Sequence, residues 1–288
     1  RVDFLEALAS EPRQKPAIVD ALDHSRSTVD RAIRALSDAG LVERTADGYA
    51  TTVAGRLAAE RYRSFLDDER DVLAAHAAID PLPASCDVPM SMIRSAAVET
   101  GEGSYWLFEQ VGERLRSVDR YRAVLPTLAD SRHLRLCQAR AERDRLDASI
   151  RLAPDALERC CAEFPRLSLS LAETDGIAVE TCDAPPFGLL LFERDDGPTT
   201  VGLVTHDDDG VAGLLRNDHP DAVAWATDRF DELAAEATDA TETLADVEIA
   251  GDVATLAESE RRLSPTLRSQ GFVWVDAAFL ERRAPLDP

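Results

Sequence analysis

The chain has 288 residues, a length that suits about two domains with a sizeable hydrophobic core. Its 54 acidic residues outnumber its 32 basic ones, which gives a formal net charge of −22. No run of about 18 apolar residues occurs, so the sequence argues against a membrane-spanning helix and against a membrane partner.

The basic residues are unusual in kind, because Lys15 is the only lysine and all the others are arginine. An acid-rich, lysine-poor composition is typical of proteins from salt-loving archaea, whose cytosol holds concentrated salt. At 1 M salt the Debye length is only about 3 Å, so the self-repulsion of an acidic surface is screened. An acidic tail on a mesophilic protein is the alternative, but the acid is spread along the chain. We therefore favour a halophilic, cytoplasmic protein.

The N-terminal part of the chain shows a succession of short helical signals. Val2–Ala9 and Ala17–Leu22 each have helical spacing of apolar residues. Ser25 is a good N-cap for a helix over Arg26–Ala39, whose apolar residues form one stripe, and Gly40 suits its C-terminal cap. These signals predict two helices joined by a tight turn, with a third helix packed behind them.

A β-hairpin is predicted to follow directly. Leu41–Arg44 and Tyr49–Thr51 alternate like strands, and Asp47–Gly48 between them is a strong turn signal. Helix, tight turn, helix and hairpin in this order predict a winged helix-turn-helix.

The second helix of such a unit packs by one stripe and leaves its opposite face free for the major groove. Arginine suits guanine edges and phosphates, and short hydroxyls reach bases or backbone. The predicted DNA-binding residues, on that face and at the wing, are Lys15, Ser25, Arg26, Ser27, Thr28, Asp30, Arg31, Arg34, Arg44 and Thr45. Asp30 argues mildly against DNA unless it accepts from a cytosine amine. The alternative is that these are solvated charges on an amphipathic helix.

The charge of the N-terminal unit differs from that of the rest. Residues 1–63 hold ten basic and ten acidic residues, whereas the remaining 225 residues hold 22 and 44. A neutral head in high salt gains little from counterion release, so it must depend on direct and shape readout of the duplex.

A long helix is predicted to leave the wing, from Val53 to about Ala78, with apolar residues in a rough helical phase. Its stripe serves either as a dimer contact or as intramolecular core, and the sequence leaves both open. Asp80–Pro83 is the clearest linker, since two prolines in three residues stop a helix.

Beyond the linker, strands and helices are mixed and end in an antiparallel meander, which predicts an α/β or α+β domain. Predicted strands are Ser95–Glu99, Leu134–Cys137, Leu167–Leu171, Ile177–Thr181, Phe187–Glu193, Thr200–Thr205 and Val211–Leu215, and predicted helices are Tyr121–Leu128, Asp155–Phe164 and a segment capped by Asp218 that runs through Ala237. Residues 241–270 are acidic with a helical middle, and Gly271–Leu280 suggests a small strand-helix piece.

Two stretches carry a family resemblance. Residues 15–52, through SRSTVDRAIRALSDAGLVERTADGY, resemble the winged-helix domain of archaeal regulators. Residues 186–237 are similar to the end of the middle domain of the filament/methanogenesis-regulator family, through PFGLLLFERDD, VGLVTHDDDGVAGLL and NDHPDAVAWATDRFDELAAEA. The resemblance implies a transcription regulator with an effector-type domain, and it carries over no catalytic residues.

No catalytic residue, metal site or cofactor is predicted. Phospholipase-D-type chemistry needs paired histidine and lysine motifs, and the only lysine is in the N-terminal half. His206, beside three aspartates, resembles a metal cluster but is better explained as part of a solvated turn. Arg94, Tyr105 and Trp106 are candidates to line a ligand pocket, with core packing as the alternative.

The five cysteines, Cys86, Cys137, Cys160, Cys161 and Cys182, show no C-x-x-C spacing and are expected to stay reduced inside a cell. The adjacent pair suits a redox or metal sensor less well than it suits buried small hydrophobes. The chain begins at Arg1 rather than Met and shows no signal peptide, as expected of a cytoplasmic protein or a trimmed piece of one.

The sequence thus predicts an α+β protein: a winged helix-turn-helix DNA-binding domain over residues 1–63, a connecting helix over 53–80 that is a candidate for the dimer contact, a mixed α/β sensor or effector domain over 84–240, and a C-terminal extension over 241–288. We expect a sequence-specific, double-stranded-DNA-binding transcriptional regulator that forms a homodimer, because most such operators are two-fold symmetric. A small-molecule effector or a partner is expected for the second domain. The alternative is a protein-interaction module whose winged helix binds a protein and no DNA.

Overall fold

The structure is a computed structural model that describes residues 2–101, 105–128, 131–143, 146–207 and 210–247. Its helices are α1 (Val2–Ala7), α2 (Lys15–Leu22), α3 (Arg26–Asp38), α4 (Val53–Ile79), α5 (Met90–Ile93), α6 (Tyr105–Leu115), α7 (Arg132–Ala141), α8 (Pro154–Glu163), α9 (Pro165–Glu173), α10 (Pro220–Ala234) and α11 (Thr241–Ala245). Its strands are β1 (Val42–Thr45), β2 (Gly48–Thr51), β3 (Ala97–Thr100), β4 (Arg120–Leu125), β5 (Asp147–Leu152), β6 (Ile177–Thr181), β7 (Gly188–Glu193), β8 (Thr200–Asp207), β9 (Gly210–Asn217) and β10 (Thr238–Asp239). A helical N-terminal region therefore precedes a sheet domain, and the predicted α+β class is confirmed.

The N-terminal region is a three-helix head with a hairpin. Apolar residues of α1, α2, α3, β1 and the start of α4 share one small core: Phe4, Leu5, Leu8, Ile18, Val29, Ala32, Ile33, Leu36, Val42 and Ala59. Strands β1 and β2 pair antiparallel with Thr45 opposite Gly48, so the two-residue turn is Ala46–Asp47. The turn thus lies one residue earlier than the sequence indicated, and Gly48 begins β2.

Helix α4 joins this head to the sheet domain. It has 27 residues, and the Thr52 side chain caps it by accepting a hydrogen bond from the Gly55 N–H at 3.1 Å. Ala59 is buried in the core of the head, whereas Ala75 and Ala78 are buried against the sheet domain. The helix therefore has two packed ends, and the predicted long helix is confirmed.

The sheet domain is built on eight strands in the order β10-β6-β5-β4-β7-β8-β9-β3. Strands β4, β5 and β6 run parallel, and the pairs from β4 through β7, β8 and β9 to β3 are antiparallel. The parallel strands need crossover helices, which α7, α8 and α9 supply, whereas the antiparallel strands β7, β8 and β9 need only short turns. The predicted meander at the end of the domain is therefore confirmed.

Two hydrophobic layers cover the sheet. One face packs against α6, α7, α8, α9 and α11, with Leu190 and Phe192 pointing into that layer. The other face packs against α5, α10 and the C-terminal end of α4, with Leu189 and Leu191 pointing into it. Successive residues of β7 thus serve opposite cores, which explains why its sequence is continuously apolar.

Three predicted elements are of the wrong type. Tyr121–Leu128, predicted as a helix, mostly forms strand β4, which lies between β5 and β7. A central strand buries both faces, and a short continuous apolar run does not distinguish it from a helix. The predicted strands Leu134–Cys137 and Leu167–Leu171 lie in helices α7 and α9, where burial recurs every three or four residues.

The structure also differs from the sequence prediction in where one helix begins and ends and in two elements that were not predicted. Helix α10 is capped by His219, not Asp218, because the His219 Nδ1 accepts from the Asp221 N–H at 3.2 Å, and the helix ends at Ala234. Strand β5 and helix α6 had no counterpart in the sequence prediction. The predicted strand-helix piece at Gly271–Leu280 lies outside the described residues, as does most of the acidic segment. Among the residues described, no helix is long and apolar enough to cross a membrane.

Candidate nucleic-acid interface

Helix α3 is held in place by caps at both ends. The Ser25 side chain accepts a hydrogen bond from the Thr28 N–H at 3.2 Å, which satisfies one of the free donors of the first turn. At the other end, Gly40 has φ of +69°, and the Leu41 N–H donates to the Leu36 carbonyl at 2.9 Å. Both caps agree with the sequence prediction, so the helix that carries the candidate residues has well-defined ends.

One face of α3 is buried and the opposite face is open. Val29, Ala32, Ile33 and Leu36 are buried in the head. The predicted recognition residues Arg26, Ser27, Asp30, Arg31 and Arg34 are exposed, and Thr28 is half-buried at the edge of that face. The structure therefore places this predicted set together on one solvent-facing surface.

Asp30, the acidic residue on this surface, is already paired. The Lys15 Nζ lies 2.5 Å from the Asp30 Oδ1 and 5.5 Å from the centre of the Tyr49 ring. The hydrogen bond from Lys15 lowers the pKa of Asp30 below its usual value, and the same contact raises the pKa of Lys15. Lys15 thus compensates the carboxylate that would oppose a phosphate backbone, and it links α2, α3 and the wing.

The arginines of the surface differ from this pair. Among the residues that the structure describes, Arg26, Arg31, Arg34 and Arg44 make no ion pair. Several other arginines of the described structure are paired with carboxylates, as Arg63 is with Glu6. The outward face of α3 and the hairpin thus present guanidinium groups that make no ion pair with the described residues, in a protein whose acidic residues outnumber its basic ones.

The wing is built on a close backbone contact. The Arg13 N–H donates to the Tyr49 carbonyl, and the Tyr49 N–H donates to the Arg13 carbonyl, both at 2.9 Å. Gly48, with φ of +144°, lies so close that a Cβ there would be 2.5 Å from the Arg13 carbonyl carbon. The Thr45 hydroxyl donates to the Gly48 carbonyl at 3.2 Å and closes the turn. Arg44, by contrast, is exposed on β1.

The hydroxyl groups at the start of α3 form a local cluster. The Ser25 Oγ lies 3.0 Å from the Ser27 Oγ and 2.9 Å from the Thr28 Oγ1. Ser25 serves the helix cap and Thr45 serves the wing turn, so both of these predicted DNA-binding residues have structural roles. Ser27 is exposed at the first turn of the helix, where backbone N–H groups without helical partners favour an anion.

The predicted ligand residues lie apart. The Arg94 guanidinium donates twice to the Asp68 carboxylate of α4, at 2.7 Å each, and this hydrogen bonding lowers the pKa of Asp68. Trp106 packs against the core on the other face of the sheet. The Tyr105 side chain is outside the described part of the structure. The structure therefore does not bring Arg94 and Trp106 to one site.

A small cavity that sequence reasoning missed lies under α6, at one end of strands β4, β7 and β8. Its lining includes Tyr121, Thr127, His133 and His206. The sequence carries no signal for it, because its walls come from segments that are distant along the chain.

Helix α4 exposes an apolar surface. Seven large apolar side chains are exposed in the part of the chain that the structure describes, and all seven lie on α4: Val53, Leu57, Tyr62, Phe65, Leu66, Val72 and Leu73. Five of them, between Tyr62 and Leu73, fall within one side of the helix when 3.6 residues are counted per turn. We call these five the α4 stripe. Packing among the described residues does not cover it.

Two parts of the chain match known domain families. Residues 1–72 match the HVO_A0261 N-terminal domain, and residues 105–236 match the middle domain of the methanogenesis regulatory protein FilR1. Both domain matches support the resemblance that the sequence indicated: a haloarchaeal type of N-terminal domain followed by a FilR1-type middle domain. No curated protein matches the chain.

Similar solved structures share little sequence with the chain. TrmBL2, described as an archaeal chromatin protein with a novel mode of DNA binding, is 13% identical over 82% of this chain and 92% of its own, with a TM-score of 0.40. NucT from Helicobacter pylori is 9% identical over 50% of this chain and 98% of its own, also at 0.40. Polyphosphate kinase from Porphyromonas gingivalis is 14% identical over 50% of this chain and 27% of its own, with a TM-score of 0.35. These scores are too low to support an argument on function.

Proposed function

We propose that this chain, which joins an HVO_A0261-type N-terminal domain to a FilR1-type middle domain, is a transcriptional regulator that binds double-stranded DNA sequence-specifically. The observation that carries the proposal is the outward face of α3, where Arg26, Arg31 and Arg34 are exposed and make no ion pair among the described residues. We assign it no catalytic role, because the chain has no lysine beyond Lys15 for a phospholipase-D-type site.

In this proposal α3 enters the major groove, and its arginines bind guanine edges or phosphates. Arg44, on the wing, reaches a flanking phosphate or the minor groove. Residues 1–63 are neutral overall, so few counterions are released on binding and base contacts supply a large share of the affinity. We therefore expect a salt dependence of affinity that is shallow for a DNA-binding protein.

The test is an electrophoretic-mobility assay on genomic fragments in concentrated KCl. We expect the double variant Arg31→Ala plus Arg34→Ala to lose about tenfold or more in affinity, because one good arginine contact to a base is worth about 1–3 kcal/mol. The control is Arg159→Ala, which removes an exposed arginine of α8 in the sheet domain. Equal binding by the double variant and the control would overturn the assignment of α3 as the recognition helix.

A protein-interaction module is the second candidate, in which the winged head binds a protein and no DNA. The same assay separates the two functions. Absence of a shift on every genomic fragment, with the head folded by circular dichroism, would favour the interaction module.

We propose further that the protein is a homodimer and that the α4 stripe is its contact. Large exposed apolar patches on a chain of this acidity mark surfaces that another molecule covers. Two copies of one helix bury the same stripe against itself, which suits a two-fold symmetric operator. The occupant we assign is therefore a second copy of this chain.

Light scattering during size-exclusion chromatography in concentrated KCl tests the dimer. We expect Phe65→Asp plus Leu73→Asp to give monomers, because both substitutions place charge in the α4 stripe. Ala74→Asp is the matched control, since Ala74 is exposed on the same helix outside the stripe. A dimer that survives the double substitution would contradict the assignment, as would a monomeric wild type.

The sheet domain over residues 84–240 is proposed to sense a small molecule or partner and to bias the spacing of the two heads. Support comes from its position, since α4 packs on the sheet at one end and on the head at the other. Such control shifts the populations of existing states and needs an effector with different affinities for them.

A further inference from the structure

The cavity under α6 has the features of a small-molecule site. Its volume is about 60 Å³, several times the roughly 10–15 Å³ that a single water needs by the same kind of measure. Most of its wall is apolar, and the apolar lining residues are Leu107, Phe108, Val111, Leu125, Leu128, Leu190, Val204 and Val211. Gly188 also lines it.

Two polar groups of this wall have no hydrogen-bond partner among the described residues. Tyr121 is fully buried, and its hydroxyl is unsatisfied. His206, largely buried on β8, has an unsatisfied Nδ1. Burial lowers the pKa of His206, so its ring is neutral near pH 7 and has one donor and one acceptor. Buried polar groups without partners are costly, and here both lie in one cavity.

The wall also limits the charge of a ligand. None of the described residues that line the cavity is Asp, Glu, Lys or Arg. A charged ligand would lose its hydration there without gaining a counter-charge, which is strongly unfavourable. The chemistry of the wall therefore selects an uncharged, compact, mainly apolar molecule with a hydroxyl or similar hydrogen-bonding group.

The cavity is connected to α4 through one strand. Thr205, the residue before His206, is fully buried, and its hydroxyl donates to the Ala78 carbonyl at 2.5 Å, near the C-terminal end of α4. The pairing of β8 with β9 shifts register between Thr205 and His206. An irregular point in a ladder is where a side chain can be re-aimed without disturbing the whole sheet. A ligand that hydrogen-bonds to His206 would therefore contact the residue next to Thr205, whose hydroxyl holds α4.

Helix α4 also packs closely against strand β9 near Thr205. A Cβ on Gly213 would lie 2.6 Å from the Ala78 Cβ, so the helix touches the strand backbone itself. A small displacement of β8 and β9 is therefore transmitted to α4 by contact rather than absorbed by flexible side chains.

We propose that this cavity is the effector site, that it binds a small uncharged molecule carrying a hydroxyl group through Tyr121 and His206, and that Thr205 transmits its occupancy to α4. This inference rests on the proposed regulator function only in its last step. Ligand binding itself does not depend on DNA.

Three matched probes test the chemistry on the full chain. Phenol carries a ring and a hydroxyl, toluene has the ring alone, and benzoate is charged. By calorimetry and ligand-observed NMR in concentrated KCl, we expect phenol to bind at least fivefold more tightly than toluene, and benzoate not to bind. Tyr121→Phe should weaken phenol at least fivefold and leave toluene unchanged, whereas Tyr62→Phe, an exposed tyrosine on α4, should change neither. Absence of phenol binding, or equal binding by Tyr121→Phe, would overturn the site.

The relay is tested by the DNA affinity with and without saturating phenol. We expect at least a threefold change in wild type and no change in Thr205→Val, which should still bind phenol because it keeps the shape of the side chain. Phenol binding without any change in wild-type DNA affinity would overturn the relay alone. Failure of the wild type to bind DNA without phenol would instead count against the proposed function, and it would leave the measured binding of phenol unaffected.

Discussion

Two glycines offer a sharp test of how the head is built, because Gly40, which follows α3, and Gly48, in β2, both have positive φ but differ in the space around them. Gly48 has φ of +144°, and a Cβ there would lie 2.5 Å from the Arg13 carbonyl carbon and oxygen. Gly40 has φ of +69°, and nothing lies within 4 Å of its Cβ position. Alanine at either glycine carries backbone strain, but only at Gly48 does it also collide with main chain.

The magnitudes follow from these contacts. Gly40→Ala should cost about 1 kcal/mol, the strain of a left-handed non-glycine residue. Gly48→Ala should cost about 3 kcal/mol, because strain of roughly 1–3 kcal/mol adds to the weakening of two hydrogen bonds between Arg13 and Tyr49, each worth about 1 kcal/mol.

The free energy of unfolding, measured by urea denaturation in concentrated KCl, gives both values. We expect a difference of about 2 kcal/mol between the variants, with Gly48→Ala also weakening DNA binding through the wing. Equal losses for the two variants would refute the reasoning, since they would show that Arg13 does not pack on β2 as described.

Three further predictions follow from other contacts. Ser25→Ala should lower the free energy of unfolding by about 1 kcal/mol, whereas Ser25→Asp should retain the cap of α3; circular dichroism melts compare them. Gly213→Ala should cost about 1–3 kcal/mol and alter the DNA affinity, because it forces α4 away from β9; an unchanged affinity would contradict this. Burial lowers the pKa of His206 below its ordinary value of 6.5, so as the pH falls the unfolded chain binds this proton before the folded chain does. The free energy of unfolding should therefore fall below pH 6.5, by at most about 1.4 kcal/mol per pH unit. Denaturation measured at several pH values tests this, and His206→Gln should flatten the slope.

The helices and the hairpin of the head could be predicted because their signals are local. A serine cap, an apolar stripe, a C-terminal glycine and a turn dipeptide all act within a few residues, and the structure shows Ser25 and Gly40 in these roles. Local geometry also decided which side of α3 faces outward. The Lys15–Asp30 pair could not be predicted, because it joins residues of two helices whose packing the sequence does not display.

The sheet domain was predicted less well for a related reason. Its central strands bury both faces, so β4 lacks the alternation that distinguishes a strand from a helix, and β5 had no signal strong enough to predict it. The antiparallel meander was recognised because turn residues separate its strands. Arg94 was assigned to a pocket from its closeness to aromatic residues in sequence, whereas it lies against Asp68 of α4.

The amino-acid sequence by itself determined the charge of the chain, the helices and hairpin of the head, and the outward arginines of α3, because charge, caps and helical period are properties of neighbouring residues. Tertiary structure alone decided that the described residues leave the α4 stripe uncovered and that Tyr121 and His206 line one cavity. Such features depend on contacts between residues far apart in the chain, and these contacts are set by the packing of whole elements on the sheet.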